Sequence, residues 1–270
     1  MVEALDSVFE GSIPDIYDRY LVPLIFEQYA SDLGQRVTDA GPDDVLEVAA
    51  GSGVVGRVVA DVLGPSARYV VSDLNQPMLT RAESLQAHPE RIEWKQADVM
   101  DLPFEDGTFD MVLCQFGAMF FPDRVKAYSE VRRVLREGGD FVFSMWDTLE
   151  VNEFAFEVTR ALAELFPDDP PSFLERTPHG HYRPDEYHSD LAAAGFNHVT
   201  IESVTAISSA ADPSEPAIAY CQGTPLRTEI VARDPNALES ATKQAALAIR
   251  ERFGNHHISS RVQAFVITAS

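Results

Sequence analysis

Val45-Leu-Glu47-Val-Ala49-Ala-Gly51-Ser-Gly53-Val-Val-Gly56 begins as an apolar run and ends in closely spaced glycines. A short apolar run bounded by glycines reads as a buried strand. The valine-rich stretch over 54–63 reads as the helix that follows it. A glycine turn between strand and helix lets a ligand approach the backbone, where open α/β sheets bind small molecules. Gly51-x-Gly53-x-x-Gly56 has the spacing of a dinucleotide fingerprint, with Asp73 lying 20 residues beyond Gly53. A carboxylate there can accept hydrogen bonds from both hydroxyls of a ribose.

Outward from this turn, strands and helices alternate. Gly41-Pro42 breaks the chain before it, and upstream the spacing of Tyr17, Tyr20, Leu21, Leu24, Ile25 and Tyr29 predicts a helix over 16–33. Downstream the pattern predicts strands over 68–73, 91–97, 109–115 and 140–145. Helices are expected over 76–86 and over 123–136, the second closed by Gly138-Gly139. Beyond Asp147 the rhythm loosens: a helix over 153–165, a proline breaker at 167–171, a helix over 183–194 and a strand over 198–206. Two or three helices fill 212–252, and a last strand takes 261–269. Alternation at this spacing gives a parallel sheet with helices on both faces, and ligands at the carboxyl ends of its strands. The extra helical segments read as a cover over those ends.

Bulk composition narrows the function. Of 270 residues, 45% are hydrophobic, enough for one sizeable core. Forty-three acidic residues against 21 basic ones leave a net charge of −22, and no Lys/Arg cluster is visible. Such a surface repels phosphate, so nucleic acid is not expected as a partner. There is no run long enough to span a membrane, and no basic, apolar leader opens the chain, so no membrane partner and a cytoplasmic location are expected. Cys114 and Cys221, the only cysteines, lack the spacing of a disulfide framework or zinc site.

Local charge separates the two ligands the glycine turn would serve. A pyrophosphate needs backbone N–H groups and no nearby anion. Here Glu47 stands just before the glycines, and no Lys or Arg occurs from Asp43 to Gly56. S-adenosylmethionine carries a sulfonium and an ammonium beside one carboxylate, so it suits an acidic strand end.

Four stretches then carry a family resemblance. Val45-Leu-Glu-Val-Ala-Ala-Gly-Ser-Gly53 resembles motif I of class I S-adenosylmethionine-dependent methyltransferases. Val71-Ser-Asp73-Leu-Asn-Gln-Pro-Met78-Leu is similar to their second, acidic strand end. Gln96-Ala-Asp98-Val-Met-Asp-Leu102-Pro-Phe104-Glu-Asp-Gly-Thr-Phe109-Asp110 and Glu130-Val-Arg-Arg-Val-Leu-Arg-Glu-Gly-Gly139 resemble the two that follow. Together they match the UbiE-like branch in order and spacing across 41–146. Ala50 and Glu137 depart from the usual glycine or cysteine and the usual proline.

The resemblance implies an α/β fold: a doubly wound, mostly parallel seven-stranded sheet of the Rossmann-like methyltransferase kind, with helical cover over the strand ends. It implies one domain over 1–270, with a helical lid at 1–40 and a donor-binding core at 41–147. Cover segments would occupy 148–183 and 207–258, and the last helix and strands of the sheet 184–206 and 259–270. It further implies that the backbone at Ala49, Gly51 and Gly53 lies against the donor's methionine part, with Glu47 orienting it. Asp73 would take the ribose hydroxyls, Leu74 and Met78 would pack near the adenine, Asp98 would accept its amino group, and Val99 would cover the ring. Gln115 completes this donor set.

The acceptor is less legible, because in-line methyl transfer needs a positioned acceptor but no protein nucleophile. The loop Gln115-Phe116-Gly-Ala-Met119-Phe120-Phe121 lacks the D/N-P-P-Y/F of amino-methylating enzymes. Phe116, Met119, Phe120 and Trp146 are candidate walls of an apolar pocket for a small O-, C- or N-acceptor. His179, His181, Tyr17 and Tyr20 are candidate catalytic or lid residues. No metal is expected, and the chain would act as a monomer or homodimer. Two rival functions remain open: an NAD(P)-dependent oxidoreductase built on the glycine loop, and a non-catalytic binding module. The first lacks an evident Tyr-x-x-x-Lys pair and leaves Glu47 unexplained.

Overall fold

A computed structural model describes residues 13–270. Its order is α1 (Ile13–Ile16), a π-helical stretch (Tyr17–Phe26), α2 (Glu27–Ala40), β1 (Asp44–Glu47), α3 (Val54–Val62), β2 (Arg68–Asp73), α4 (Gln76–Leu85), β3 (Glu93–Gln96), β4 (Phe109–Gln115), α5 (Arg124–Val134) and β5 (Leu135–Trp146). There follow α6 (Glu153–Leu165), α7 (Phe173–Arg176), α8 (Pro184–Ala193), β6 (Val199–Ala210), α9 (Ser214–Gln222), α10 (Leu226–Arg233), α11 (Leu238–Phe253) and β7 (Ile258–Ala269). The seven strands run in the order β3-β2-β1-β4-β5-β7-β6, and the pairs β1–β2, β1–β4, β2–β3 and β4–β5 are parallel. Order reverses between β1 and β4, so the crevice beyond their carboxyl ends is where such a sheet binds its ligand.

The chain divides into two compact units. One comprises 27–145, 183–203 and 265–270. Its centre is the fully buried middle of β1, β2 and β4, where Val45, Leu46, Val70, Val71, Val112 and Leu113 are sealed from solvent. Strands buried on both faces read as continuous apolar runs rather than alternating ones. Helix α2 lies on α3 through Gly34, where a Cβ would come within 2.5 Å of Val58 Cγ1. On the other side α5 meets α8, held by Arg124 Nε donating to Asp190 Oδ2 at 2.8 Å.

The second unit comprises residues up to Phe26, 146–182 and 204–264. Helix α11 packs on α6 and α9. Arg252 joins α11 to both Glu153 and Glu157 of α6, at 2.6 and 2.8 Å. Glu229 of α10 accepts the backbone N–H of Ser172 at 2.7 Å and the Arg176 guanidinium at 2.9 Å, fixing the start of the short α7.

Three local outcomes differ from the pattern. The helix expected over 16–33 extends over 13–40 and is π-helical at Tyr17–Phe26. Pro23 lies inside that stretch and has no N–H to give, which favours a widened turn. The helix expected to close at Gly138-Gly139 ends at Val134 instead, and the glycines belong to β5. There Gly138 takes φ +79, and a Cβ on Gly139 would meet the Asp110 carbonyl at 2.9 Å, so the pair serves a strand irregularity beside β4. The strand expected over 91–97 shortens to Glu93–Gln96 behind a 3-10 turn at Pro89–Arg91.

Candidate functional site

The turn after β1 is pinned from both sides. Val48 N donates to Leu113 O at 2.9 Å, and Ala50 N donates to Ser72 O at 3.0 Å. Between these anchors Ala49, Gly51 and Gly53 take φ of +54, +56 and +76. Left-handed backbone suits glycine and strains alanine. Gly53 also needs to lack a side chain, because a Cβ there would lie 2.7 Å from Ala82 Cβ of α4. Gly53 therefore serves packing, whereas a Cβ on Gly56 would stand 3.5 Å from Glu47 Oε2, an ordinary van der Waals distance.

Glu47, at the end of β1, is 1% exposed and lies beneath the loop. It accepts a hydrogen bond from the Tyr69 hydroxyl. Burial pushes its carboxyl up to about 8, against the opposing pull of Tyr69 and Arg57. Asp73, at the end of β2, takes Gly51 N on Oδ2 and Asn75 N on Oδ1, both at 2.8 Å. Burial raises its pKa while those N–H groups lower it. An ionised carboxylate offers about four lone-pair sites. Two backbone donors leave Asp73 with capacity for further donors.

Met78 is buried in α4, its Cε 3.8 Å from where a Gly51 Cβ would stand. Leu74 is 57% exposed just beyond β2. Beyond β3, Asp98 is exposed and its Oδ1 accepts Met100 N at 2.9 Å, with half-buried Val99 between them. Beyond β4, half-buried Gln115 leads into Phe116, whose φ is +52 and whose ring meets Tyr29 edge-on at 5.2 Å. A bulky residue at positive φ is a genuine outlier, and such strain gathers at functional sites. Met119 is buried and Phe120 half-buried in the 3-10 turn that follows.

Four residues here escaped the sequence reading. Gly117 is one: a Cβ would lie 2.5 Å from Ala49 Cβ and 2.9 Å from Cys114 Sγ, so the β1 and β4 turns are in van der Waals contact. Tyr69 is another; a tyrosine hydroxyl inside a buried strand usually finds a polar partner, which was the available signal. Tyr29, which the sequence marks only as part of a helix face, and Ser52 complete the set. Ser52 is 3% exposed, and its hydroxyl has no hydrogen-bond partner among the described residues.

The remaining candidates lie in the second unit. Trp146 is buried, with its ring 5.9 Å from Phe26, which stands 5.2 Å from Tyr17. His179 is also buried, 6.2 Å from Trp146, and its Nδ1 lies 2.8 Å from the Asp147 carbonyl oxygen. Burial pulls its imidazole down to about 4. Tyr20 is half-buried and carries the Arg19 guanidinium over its ring at 5.2 Å. His181 is half-buried. No three His, Cys, Asp or Glu side chains gather as a metal would require among the described residues.

Comparison with known proteins bears on this arrangement. Residues 46–143 match the family model described as a methyltransferase domain. The chain is 31% identical to a 2-methoxy-6-polyprenyl-1,4-benzoquinol methylase from Caenorhabditis elegans, across 59% of this chain and 60% of that protein. It is 29% identical to a demethylmenaquinone methyltransferase from Lactococcus lactis, across 58% of this chain and 64% of that protein. It thus spans less than two thirds of either relative. The structure of the [4+2]-cyclase SpnF superposes with a TM-score of 0.56 at 16% identity, covering 90% of this chain and 81% of that one. That likeness concerns the fold alone, and the cyclase shows that one fold hosts different reactions. No helix among the described residues is long and apolar enough to cross a membrane. The segment 46–143 is, by its family model, a methyltransferase domain.

Proposed function

We propose that the chain transfers a methyl group from S-adenosylmethionine to a small aromatic or otherwise apolar molecule. The observation that carries this reading is Asp73, half satisfied by Gly51 N and Asn75 N at the crevice where strand order reverses. Three further features fit the donor. The left-handed loop at Ala49, Gly51 and Gly53 exposes backbone, Ser52 holds an unused hydroxyl, and exposed Leu74 stands at the mouth of β2. Glu47 lies beneath Gly56, but burial raises its carboxyl to about 8, so the charge that the sequence set against a dinucleotide is mostly absent at neutral pH and the nicotinamide reading is decided by the titration below.

The donor, when bound, supplies a methyl carbon activated by its sulfonium. Asp73 takes the ribose hydroxyls, while the backbone at Ala49, Gly51 and Gly53 holds the methionine part, supported from below by Glu47. Leu74, Met78 and Val99 flank the adenine, and Asp98 accepts its amino group on the oxygen that Met100 leaves free. Gln115 closes the set. Phe116, Met119 and Phe120 supply apolar surface to an acceptor and exclude water. Both named relatives act on quinone-type rings by their names, which favours an aromatic acceptor. The chain is read as one methyltransferase domain, cytoplasmic, acting as monomer or homodimer.

A thermal-shift titration with S-adenosylhomocysteine, NAD and NADP tests the reading. A ligand specific for the folded state stabilises it by about 2.7 kcal/mol at a hundredfold excess over its dissociation constant. A rise with S-adenosylhomocysteine alone is expected; a rise with a nicotinamide nucleotide alone would refute it.

A further inference from the structure

Tyr17, Phe26, Trp146 and His179 form a run of neighbouring rings, at centroid spacings of 5.2, 5.9 and 6.2 Å. His179 ends this run and differs from the rest in carrying an unused polar atom. Its Nδ1 lies 2.8 Å from a carbonyl oxygen, which can only accept, so Nδ1 bears the hydrogen. The Asp147 backbone that supplies this carbonyl is itself firmly held. Its N–H donates to Gln263 O at 3.2 Å, and the same carbonyl also accepts Asn152 Nδ2 at 3.3 Å. The Asp147 carboxylate takes Gln263 Nε2 and Thr148 N, each at 2.6 Å, and Gln263 Oε1 in turn accepts Thr205 Oγ1 at 2.8 Å. The imidazole is thus oriented by a built network.

With one proton, on Nδ1, the ring presents a bare lone pair at Nε2, and burial keeps it in that neutral form at ordinary pH. No described residue donates to Nε2, and the atom is not one of the fully buried polar atoms that lack a partner, so it keeps a small opening to solvent. A lone pair held in one orientation and still accessible can accept from a ligand that brings a donor. The neighbouring Trp146 and Phe26 rings select for a flat, apolar body beside that donor. A neutral imidazole has nothing to offer a phenolate or carboxylate at Nε2, whereas a neutral hydroxyl completes it.

We propose that His179 Nε2 anchors the hydroxyl group of an aromatic acceptor whose ring packs beside Trp146, so that His179 selects ring hydroxyls over their ethers. This rests on the small-acceptor reading above and names the atom that recognises it.

The test uses 2-naphthol and 2-methoxynaphthalene as probes, with the full chain and no donor present. Binding is measured by calorimetry, and the imidazole nitrogens are followed by NMR in protein labelled with 15N-histidine. His179→Asn is the informative variant, because its Nδ2 can still donate to the Asp147 carbonyl while the Nε2 lone pair is gone; a urea midpoint checks that it stays folded. We expect 2-naphthol to bind about tenfold tighter than its methyl ether and to shift the His179 Nε2 resonance, with both differences abolished in His179→Asn. Equal affinity for the two probes in the unaltered chain, persistence of the difference in His179→Asn, or no binding of either probe would each overturn the proposal. Binding of S-adenosylhomocysteine is read separately, so a failed anchor and a failed methyltransferase reading give different results.

Discussion

Glu47 in one unit and His179 in the other are both titratable groups held neutral by burial, yet they differ in what is left over. Glu47 is sealed under the glycine loop, with the Tyr69 hydroxyl on one oxygen. His179 spends one nitrogen on a carbonyl and keeps the other unpaired among the described residues. The same desolvation thus yields a structural prop in the first case and a binding group in the second. Burial and a shifted pKa do not by themselves mark a functional residue. The number of unfilled hydrogen-bond positions separates the two.

The comparison breaks most visibly at Asp73. If donor recognition in the first unit lies with Asp73 rather than with the sealed Glu47, Asp73→Ala should weaken S-adenosylhomocysteine binding about a hundredfold, through lost charge-assisted bonds worth about 1.5–3 kcal/mol each. Glu47→Gln, which can still accept from Tyr69, should change it by no more than about threefold on the scale of one neutral hydrogen bond. Calorimetry of both variants decides this, and the reverse ranking would make Glu47 the binding group.

A second break concerns the backbone. Gly117→Ala should destabilise the protein by about 3 kcal/mol, the upper end for overpacking, since its Cβ meets Ala49 and Cys114. Urea unfolding would show it, and an unchanged midpoint would mean the two turns separate freely.

Opposite pH slopes sharpen the contrast further. Glu47 rises from 4.5 to about 8, so between these values the folded state holds more protons than the unfolded one, and stability falls as pH increases. His179 falls from 6.5 to about 4, so over that window the unfolded state holds more protons, and stability climbs with pH. Glu47→Gln should remove the first slope, on the order of 5 kcal/mol across its window, and His179→Asn the second, on the order of 3 kcal/mol. Denaturant midpoints from pH 4 to 8.5 would measure both. A variant that leaves its slope intact returns that residue to an ordinary environment.

The smallest effect is expected at Ala49. Ala49→Gly relieves left-handed strain of about 1–2 kcal/mol but frees the unfolded chain, worth about 0.4–1 kcal/mol. A net gain of about 0.5 kcal/mol in the urea midpoint is the expected result.

The position of the strand-end residues was legible because it is set locally. Glu47 and Asp73 stand at the ends of apolar runs, the glycines follow Glu47 within nine residues, and strand–helix alternation places all of them at one edge of a parallel sheet. Packing roles were not legible. Gly53 reads as a ligand-facing glycine until Ala82 of α4 is found against it, and Gly138-Gly139 reads as a helix stop until β5 takes it in. Gly117 carries no sequence signal, since its neighbour Ala49 is 68 residues away.

Periodicity and strand-end acids, repeated along the chain, were enough to specify an α/β sheet, its crevice and an acidic, glycine-lined turn suited to a cationic donor. Those features depend on contacts between near neighbours, which a linear pattern records. What became of each polar atom was decided by the tertiary structure. Tyr69 closes Glu47, the Asp147 carbonyl claims one nitrogen of His179, and the other is left open, through contacts spanning 22 and 32 residues. Hydrogen-bond valence is filled by whatever folding brings near, and no spacing rule records it.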